Sequence, residues 1–436
     1  MTQALSRRDL LFYGFVAMPL AFAGMPLYVH APDYYATNFG VSLSIMGIAL
    51  LLLRFFDAVQ DPLIGYFSDK FQRQRMFVII SSAAMLVVSF AMLFQPQQEY
   101  ALFWFCAFML LATTAFSILS INLNALGSLW SKDKNQQTRI TGYREGFGLV
   151  GLLLAVLLPS ILMQTIPPSS AFAWMGIILA TFMFIAMVAF YIWYKKNNTH
   201  VANVEKQQSL WKILSSTPTR TRKFFAIYTI SMLASSIPAL LVLFFIRDRL
   251  EAQNYTGLFL ALYFLAGIAG MPVWQYFSRK YNKYTAWMIA MLLAVASFIW
   301  ACFLGAGDVW QYGLICITSG IAFGADLALP PAILAYYIHE QKNEATATSQ
   351  FGLFAFLAKL ALALASVIAL PFLDITGYKP GLNNDTNALQ ALGFIYAAIP
   401  CLLKIIAIFM LWRFQKTNIS GEKNAQNNFI RSNANV

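Results

Sequence analysis

Two carboxylates lie one helical turn apart in the second apolar stretch of the chain. Asp57 and Asp61 stand at positions i and i+4 of Arg54-Phe-Phe-Asp57-Ala-Val-Gln-Asp61-Pro62, so they share one helix face. Two unpaired anions at this spacing repel each other, and one of them tends to take a proton. A cation between them also removes the repulsion, and hard cations such as Na+ prefer oxygen ligands. Pro62 lacks an N–H and frees the carbonyl of Ala58 as a further oxygen.

The pair therefore predicts a coupling-ion site, with Na+ at Asp57 and Asp61 as the candidate metal. The alternative interpretation is a structural ion pair between Arg54 and Asp57, with Asp61 at a cytoplasmic opening. Either arrangement requires these charges to face a partner or a cavity, because an isolated charge at the bilayer centre costs about 3 kcal/mol on insertion scales.

Other polar side chains interrupt the fourth apolar stretch. They are Ser117, Ser120, Asn122 and Asn124. Serines in membrane helices often bond back to their own backbone or pack at helix contacts. Asparagines are harder to explain in that way, so we expect this face to line a cavity.

Three more ionisable residues lie in apolar stretches. Arg144 begins the fifth stretch, where it belongs to a substrate or coupling site or extends its guanidinium to the membrane surface. Asp326 and Lys359 lie near mid-depth of the tenth and eleventh stretches, and they either pair with each other or face the cavity separately. Pro330-Pro331 predicts a bend or break in the tenth helix, which is tolerated where protein or a cavity buries the freed groups.

Membrane-spanning helices must position these residues. Of 436 residues, 59% are hydrophobic and only 11% charged, whereas about 25% is usual in soluble domains. A span needs about 20 apolar residues. The sequence predicts an all-α integral membrane protein with twelve spans near 10–31, 42–66, 76–95, 101–126, 142–165, 171–194, 225–246, 255–277, 284–305, 309–337, 350–374 and 388–413.

Basic residues concentrate in alternate loops, which the positive-inside rule assigns to the cytoplasm. Both termini then lie in the cytoplasm, as an even number of spans requires. The net charge of +12 therefore does not indicate nucleic-acid binding, which would need a basic stripe on a soluble surface.

A ten-residue segment recurs at an offset of 210 residues, as Pro62-Leu-Ile-Gly-Tyr-Phe-Ser-Asp-Lys-Phe71 and Pro272-Val-Trp-Gln-Tyr-Phe-Ser-Arg-Lys-Tyr281. Both copies close the second helix of a half. Two six-helix halves related by a parallel repeat are the architecture of the major facilitator superfamily, with substrate bound near the midplane. The expected units are an N-terminal half (1–194), a cytoplasmic linker (195–223), a C-terminal half (224–414) and a flexible cytoplasmic tail (415–436).

Enzyme signatures are missing from the sequence. It contains no P-loop lysine motif, no nucleophile elbow and no His/Cys cluster with metal-ligand spacing. The chain is therefore expected not to be an enzyme and to need no cofactor. Transport would draw on an ion gradient.

The motifs resemble those of a known family. Arg54-Phe-Phe-Asp57-Ala-Val-Gln-Asp61-Pro62-Leu-Ile-Gly65 resembles the helix II signature of the glycoside–pentoside–hexuronide:cation symporters, the melibiose-carrier branch of the superfamily. The segment from Gly65 to Arg73 resembles the wider superfamily's loop motif. The segments 138–147, Lys359 and 377–380 resemble the family's helix IV–V connection, helix XI and the loop after it.

This resemblance implies sodium- or proton-coupled symport by alternating access. It implies cation ligation by Asp57, Asp61 and Ser117, and a role for Arg144 and Lys359 in the sugar and coupling region. We add Ser120 to the predicted cation-binding residues. We assign Arg54, Asn122, Asn124 and Asp326 to the same substrate and coupling group.

Two positions depart from the family pattern. Ser120 stands where melibiose-type carriers have a carboxylate that serves the sugar, and Ala21 stands near the place of another. The less negative cavity suits an anionic or amphipathic solute, such as a sugar acid, better than a neutral galactoside. The loss of an anionic ligand at Ser120 also makes H+ an alternative to Na+ as the coupling ion.

The expected protein is thus a monomeric symporter of the cell inner membrane, whose partners are a small organic solute and the lipid bilayer. One alternative is a proton-coupled efflux carrier. The other is a non-transporting membrane receptor or assembly partner on the same scaffold.

Overall fold

The apolar stretches form long helices in the computed structural model, which describes residues 5–39, 43–163, 166–197, 218–341, 344–379 and 384–434. We number the helical segments α1 to α12 in chain order. They are α1 (Arg7–Gly14, Ala17–Met25, the π-helical turn Pro26–His30, and Ala31–Phe39), α2 (Leu43–Lys70), α3 (Arg75–Leu93), α4 (Ala101–Trp130), α5 (Lys134–Leu162), α6 (Pro168–Asn197), α7 (Thr219–Phe244 and the π-helical turn Phe245–Arg249), α8 (Thr256–Lys280), α9 (Lys283–Phe298 and the 3-10 turn Ile299–Phe303), α10 (Val309–Glu340), α11 (Ala347–Ile375) and α12 (Thr386–Gly393, the π-helical turn Phe394–Ala398, and Ile399–Ala434).

Eleven of these segments, within the described residues, are long and apolar enough to cross a membrane. The segment outside that set is α2, which carries Arg54, Asp57 and Asp61. The all-helical membrane fold expected from the sequence is therefore confirmed. Most of the predicted linker 195–223 lies outside the described residues, and α12 continues through the predicted tail as far as Ala434.

Proline residues do not break the helices that carry the candidate site. Pro62 lies inside α2, and Pro330 and Pro331 lie inside α10, which is α-helical from Val309 to Glu340. Of the two predicted alternatives for the tenth helix, the break is therefore wrong, and the bend stays a prediction. The physical reason is burial, because both prolines and their neighbours are enclosed by protein, where the few backbone groups that a proline frees are tolerated.

We call α1–α6 the N-terminal half and α7–α12 the C-terminal half. The two halves meet where α2 runs antiparallel to α11. Their backbones approach closely at two glycines, since a Cβ added to Gly65 would lie 2.6 Å from the Thr348 carbonyl oxygen and one added to Gly352 would lie 2.5 Å from the Asp61 carbonyl oxygen. Gly352 and Lys359 are seven residues apart, which is about two helical turns. This spacing sets Lys359 on the same face of α11, opposite Asp57 and Asp61.

The end of this contact is closed by a buried carboxylate. Asp69, in the last turn of α2, accepts hydrogen bonds from the backbone N–H of Thr348 (3.1 Å) and of Ser349 (2.7 Å) at the start of α11. The Ser349 hydroxyl also donates to Asp69, at 2.7 Å, and Arg75 lies 3.4 Å from the same carboxylate. A carboxylate at a helix N-terminus is favoured by the unpaired N–H groups and by the helix dipole. Asp69 therefore links the halves through charge-assisted bonds.

A repeat-related contact joins α5 to α8. Thr138 and Thr348 differ by 210 positions, and the Thr138 hydroxyl lies 3.3 Å from that of Ser278, which itself repeats Ser68. The two repeat copies also end α2 and α8 at equivalent residues, Lys70 and Lys280. The internal repeat read from the sequence thus corresponds to two equivalent places where one half contacts the other.

Candidate functional site

An ammonium group lies between the two predicted cation carboxylates. Lys359 Nζ, from α11, is 2.8 Å from Asp57 Oδ1 and 2.9 Å from both carboxylate oxygens of Asp61. Of the two Asp61 oxygens only Oδ1 accepts a hydrogen bond, and Oδ2 is buried without one. The ammonium also donates to the Ser117 hydroxyl (2.9 Å) and to the backbone oxygen of Asp57 (2.8 Å).

Neighbouring side chains hold the carboxylate of Asp57 in place. The Tyr28 hydroxyl, in the π-helical turn of α1, donates to Asp57 Oδ2 at 3.3 Å. The Gln60 amide donates to Oδ1 at 3.1 Å, and Gln60 itself accepts from Thr114 of α4 at 2.8 Å. Asp57 is therefore tied to α1 and α4 of its own half as well as to α11.

The oxygen atoms around Lys359 form a set that suits a small hard cation. Two carboxylates, one hydroxyl and one backbone carbonyl are the oxygen ligands such ions prefer. Asp61 is completely buried, and burial of an ionised carboxylate is costly unless a positive charge accompanies it. In this conformation the accompanying charge is the Lys359 ammonium, which the sequence analysis did not place between the carboxylates. The coupling-ion site at Asp57 and Asp61 stays a prediction.

Two predicted alternatives for these charges are wrong. Arg54 is exposed and, among the described contacts, forms no ion pair with Asp57. Asp326 does not pair with Lys359, because it contacts Lys404 of α12 instead. The partners of Arg54 and Asp326 depend on how helices distant in the sequence pack against each other. The spacing of residues along one helix does not predict this packing.

The polar residues of α4 divide into three environments. Ser117 joins the cluster of Lys359, Asp57 and Asp61. The Ser120 side chain makes no hydrogen bond to Asp57 or Asp61 in the described part of the chain, and the Ser120 carbonyl accepts from Asn124 at 2.8 Å. Asn122 is fully buried, and its amide donates to Ser68 at 2.8 Å, so it does not line a cavity as predicted. Asn124 does line one.

The cavity at Asn124 lies between the halves and also contacts Arg144 of α5. Arg144 is buried and donates to Glu145 from Nε at 3.0 Å, with a second bond from Nη2. A buried guanidinium cannot reach the membrane surface, so the predicted alternative of an outward-extending Arg144 is wrong. Other lining residues come from both halves: Tyr13, Gln137 and Thr141, and Pro331 and Phe351.

A second lysine–carboxylate pair lies wholly inside the C-terminal half. Lys404 Nζ is 2.6 Å from Asp326 Oδ2, and both side chains are about nine-tenths buried. Lys404 was missed by the sequence analysis, although the same signal that identified Lys359, a lysine inside an apolar stretch, was present in the twelfth stretch.

A titratable contact joins the halves outside the membrane-spanning segments. Glu344, between α10 and α11, lies 3.3 Å from Lys132, which precedes α5, and its Oε1 lies 3.3 Å from His339 Nδ1. Partial burial acts to raise the pKa of Glu344, but the hydrogen bonds from its own backbone, from His339 and from Lys132 outweigh it and lower the pKa. The carboxylate is therefore held ionised where the halves touch.

The chain is similar to transporters along most of its length. It is 24% identical to the glucuronide carrier protein homolog of Escherichia coli K12, over 96% of this chain and 94% of that one. It is 20% identical to the human sodium-dependent lysophosphatidylcholine symporter 1 (90% and 79% covered) and 21% identical to the putative sulfoquinovose importer of E. coli K12 (88% and 85% covered). These relatives are transporters, not enzymes.

Solved structures support the same fold. A bacterial homologue of the iron transporter ferroportin matches with a TM-score of 0.70 at 12% identity, covering 94% of this chain and all of that one. The E. coli fucose:proton symporter matches with a TM-score of 0.63 at 14% identity, covering 92% and 97%. The family model described as MFS/sugar transport protein matches residues 12–418. With the lysine-bridged carboxylates of α2 and these matches over nearly the whole chain, the protein belongs to the MFS/sugar transport protein family, as its helix II motif predicted.

Proposed function

We propose that this protein is a cation-coupled symporter that carries a small solute with an acidic group by alternating access. The observation that carries the proposal is the bridge between Lys359 of the C-terminal half and Asp57, Asp61 and Ser117 of the N-terminal half. A bridge between the halves links the charge of the carboxylates to the relative position of the halves.

Because of this bridge, the binding of a cation and the relative movement of the two halves depend on each other. When the halves separate along α2 and α11, Lys359 must leave Asp57 and Asp61. Two buried carboxylates without a positive charge are strongly disfavoured. A cation from solution, Na+ or H+, replaces the ammonium, so the conformation open at this contact is favoured by the coupling ion.

The expected solute follows from buried positive charge and from the relatives. Arg144, Lys359 and Lys404 are all partly or fully buried within the helical bundle. The names of the three relatives refer to a glucuronide, a sulfoquinovose and a lysophosphatidylcholine, which carry a carboxylate, a sulfonate and a phosphate group respectively. A solute with an acidic group is the class common to them.

The finer topology belongs to the same proposal. We infer twelve spans, with α2 included because it is 28 residues long and packs against α4 and α11, and with both termini in the cytoplasm of a monomeric inner-membrane protein. The basic loops then lie beside the contact at Asp69, so this conformation is closed on the cytoplasmic side.

The test is solute-induced ion movement with the purified protein in liposomes. Aryl glucuronides, sulfonated sugars, lysolipids and neutral sugars are added with and without Na+ at two pH values. The variants Asp57→Asn and Asp61→Asn are compared with Asp9→Asn, which alters the Asp9–Lys196 pair within the N-terminal half, away from α2 and α11.

We expect an ion signal for an acidic solute in the wild type and in Asp9→Asn, and its loss in both α2 variants. A signal that persists in Asp57→Asn and Asp61→Asn would contradict the coupling role of α2. Stronger responses to neutral sugars than to their acidic counterparts would contradict the solute class.

A further inference from the structure

The carboxylate of Asp326 lies in a cradle of hydrogen-bond donors from three other helices. Trp287 Nε1 of α9 donates to Oδ1 at 2.8 Å, Lys404 Nζ of α12 donates to Oδ2 at 2.6 Å, and the Ser235 hydroxyl of α7 donates to Oδ2 at 3.4 Å. We call Trp287, Ser235, Ser231 and Lys404 the anion cradle. Charge-assisted bonds of this kind are the strong ones in proteins.

The cradle does not depend on Asp326 for its shape. The Lys404 ammonium donates to the Ser231 hydroxyl at 2.8 Å and to the Ser235 hydroxyl at 3.1 Å, and it lies 3.3 Å from the Ser231 backbone oxygen. Three of its contacts therefore come from α7 alone. The positive charge would keep its position if the carboxylate left, which is what a preorganised binding site requires.

The cradle faces the region between the halves. Tyr228 lies one helical turn before Ser231 on α7. Together with Trp287 of the cradle, it belongs to the buried cluster that also contains Ile121 and Ala125 of α4 in the other half. The cradle thus lies beside the packing contact between the halves.

The cradle also lies within one half. Residues of α7, α9 and α12 form it, and Asp326 on α10 of the same half occupies it, so the separation of the halves does not pull it apart, unlike the Lys359 bridge. A site that keeps its geometry through the transport cycle can hold a solute while the halves move around it.

We propose that the anion cradle binds the acidic group of the transported solute and that Asp326 occupies it as a resident substitute. The ligand class is a carboxylate, sulfonate or phosphate group, which has oxygens able to accept the same N–H and O–H bonds as Asp326. Binding exchanges one acceptor for another, and the displaced Asp326 turns toward the space between the halves. This inference rests on the proposed function, since it names the part of the solute that the symporter recognises.

The first experiment removes the Asp326 carboxylate from the cradle by mutation and tests whether acetate binds in its place. Purified Asp326→Ala is titrated with acetate, and its thermal unfolding is followed by tryptophan fluorescence. The emission of Trp287 is obtained as the difference between the spectrum of Asp326→Ala and that of Asp326→Ala/Trp287→Phe. We expect acetate to raise the melting temperature of Asp326→Ala and to change the Trp287 emission. The double variant Asp326→Ala/Lys404→Met should not respond, because its cradle lacks the positive charge. The wild type should respond less than Asp326→Ala, because acetate must displace Asp326.

Equal responses in the double variant, or none in Asp326→Ala, would overturn the proposal. Asp326→Asn serves as a second variant if the alanine form does not fold, because it keeps the side-chain volume while losing the charge. Chloride at the same ionic strength controls for salt effects. None of these measurements requires transport, so the result stands apart from the outcome of the proposed function.

The second experiment compares two probes that differ only in the acidic group, p-nitrophenyl glucuronide and p-nitrophenyl glucoside. Removing the competing carboxylate in Asp326→Asn should raise the affinity for the glucuronide about tenfold and leave the glucoside unchanged. Lys404→Met should abolish the preference for the glucuronide. A purely structural role for the pair predicts the opposite, a loss of affinity for both probes in Asp326→Asn, and that result would refute the inference.

Discussion

Two lysine–carboxylate clusters of this protein are built from similar groups but differ in what they connect. Lys359 reaches from α11 across to Asp57 and Asp61 of α2, whereas Lys404 and Asp326 lie on α12 and α10 of the same half. The first cluster has to break whenever the halves separate, and the second does not. Under the proposed function, the first cluster serves ion coupling because it joins the two halves. The second serves solute recognition because it lies within one half.

The largest effect should come from removing the charge that crosses between the halves. Lys359→Met leaves Asp57 and Asp61 buried without their cation, and breaking a buried pair costs about 3–5 kcal/mol. We expect ion-driven accumulation of solute in liposomes to be abolished, and a second change, Asp61→Asn, not to restore it. Lys196→Met, which removes an exposed partner of Asp9, is the matched control. Solute accumulation at the wild-type rate in Lys359→Met would contradict the claim that only the first cluster is needed for ion coupling.

The second cluster should behave as a pair that can be neutralised together. Lys404→Met leaves Asp326 buried and unpaired by a cation, which should destabilise the protein by about 3–5 kcal/mol, whereas the double variant Lys404→Met/Asp326→Asn should regain most of that loss. Denaturant unfolding in detergent measures both. Additive losses in the double variant would mean that the two residues act independently.

A smaller effect is expected at the closed end of the α2–α11 contact. Asp69→Asn weakens bonds to Thr348 and Ser349, and each hydrogen bond to a charged group contributes about 1.5–3 kcal/mol. The population with the halves closed at this end should fall, as measured by the distance between spin labels on the loops that follow α2 and α10. Asp133→Asn is the matched control, because Asp133 caps α5 within its own half. A similar shift in both variants would indicate a general loss of helix capping.

The smallest effect should be the pH dependence of the Lys132–Glu344 contact. Because the folded contact lowers the pKa of Glu344 below its usual 4.5, its contribution is present above that value and is lost as the pH falls through the lowered pKa. Lys132 is 79% exposed, so the contribution is at most about 1 kcal/mol. The same spin-label distance should show a slight opening on acidification in the wild type, absent in Glu344→Gln. An opening of equal size in Glu344→Gln would assign it to another group.

The sequence predicted the features that depend on a single helix. The i and i+4 spacing of Asp57 and Asp61 placed both carboxylates on one face, and one ammonium contacts both of them. The repeat at an offset of 210 residues predicted that Lys70 and Lys280 close equivalent helices. Such periodic relations are local, and local geometry is fixed by the helix itself.

The partners across helices could not be predicted in the same way. The ammonium that contacts Asp61 lies 298 residues further along the chain, and several helical faces competed for it. Asp326 was expected to pair with Lys359, but the packing of α10 against α9 and α12 gave it Trp287 and Lys404 instead. The sequence shows which residues are charged. Which of them come into contact depends on how all the helices of the bundle pack together.

Gly65 and Gly352 have a consequence for experiment that differs from that of the charged residues. Each leaves no room for a methyl group, since the nearest atoms belong to the backbone of the opposing helix and cannot rotate away. A single alanine at either position would act as a steric wedge and hold the two halves apart without altering any charge. Such a wedge would yield a protein arrested in the alternative conformation, with its ion ligands intact, for crystallisation or for selecting conformation-specific antibodies.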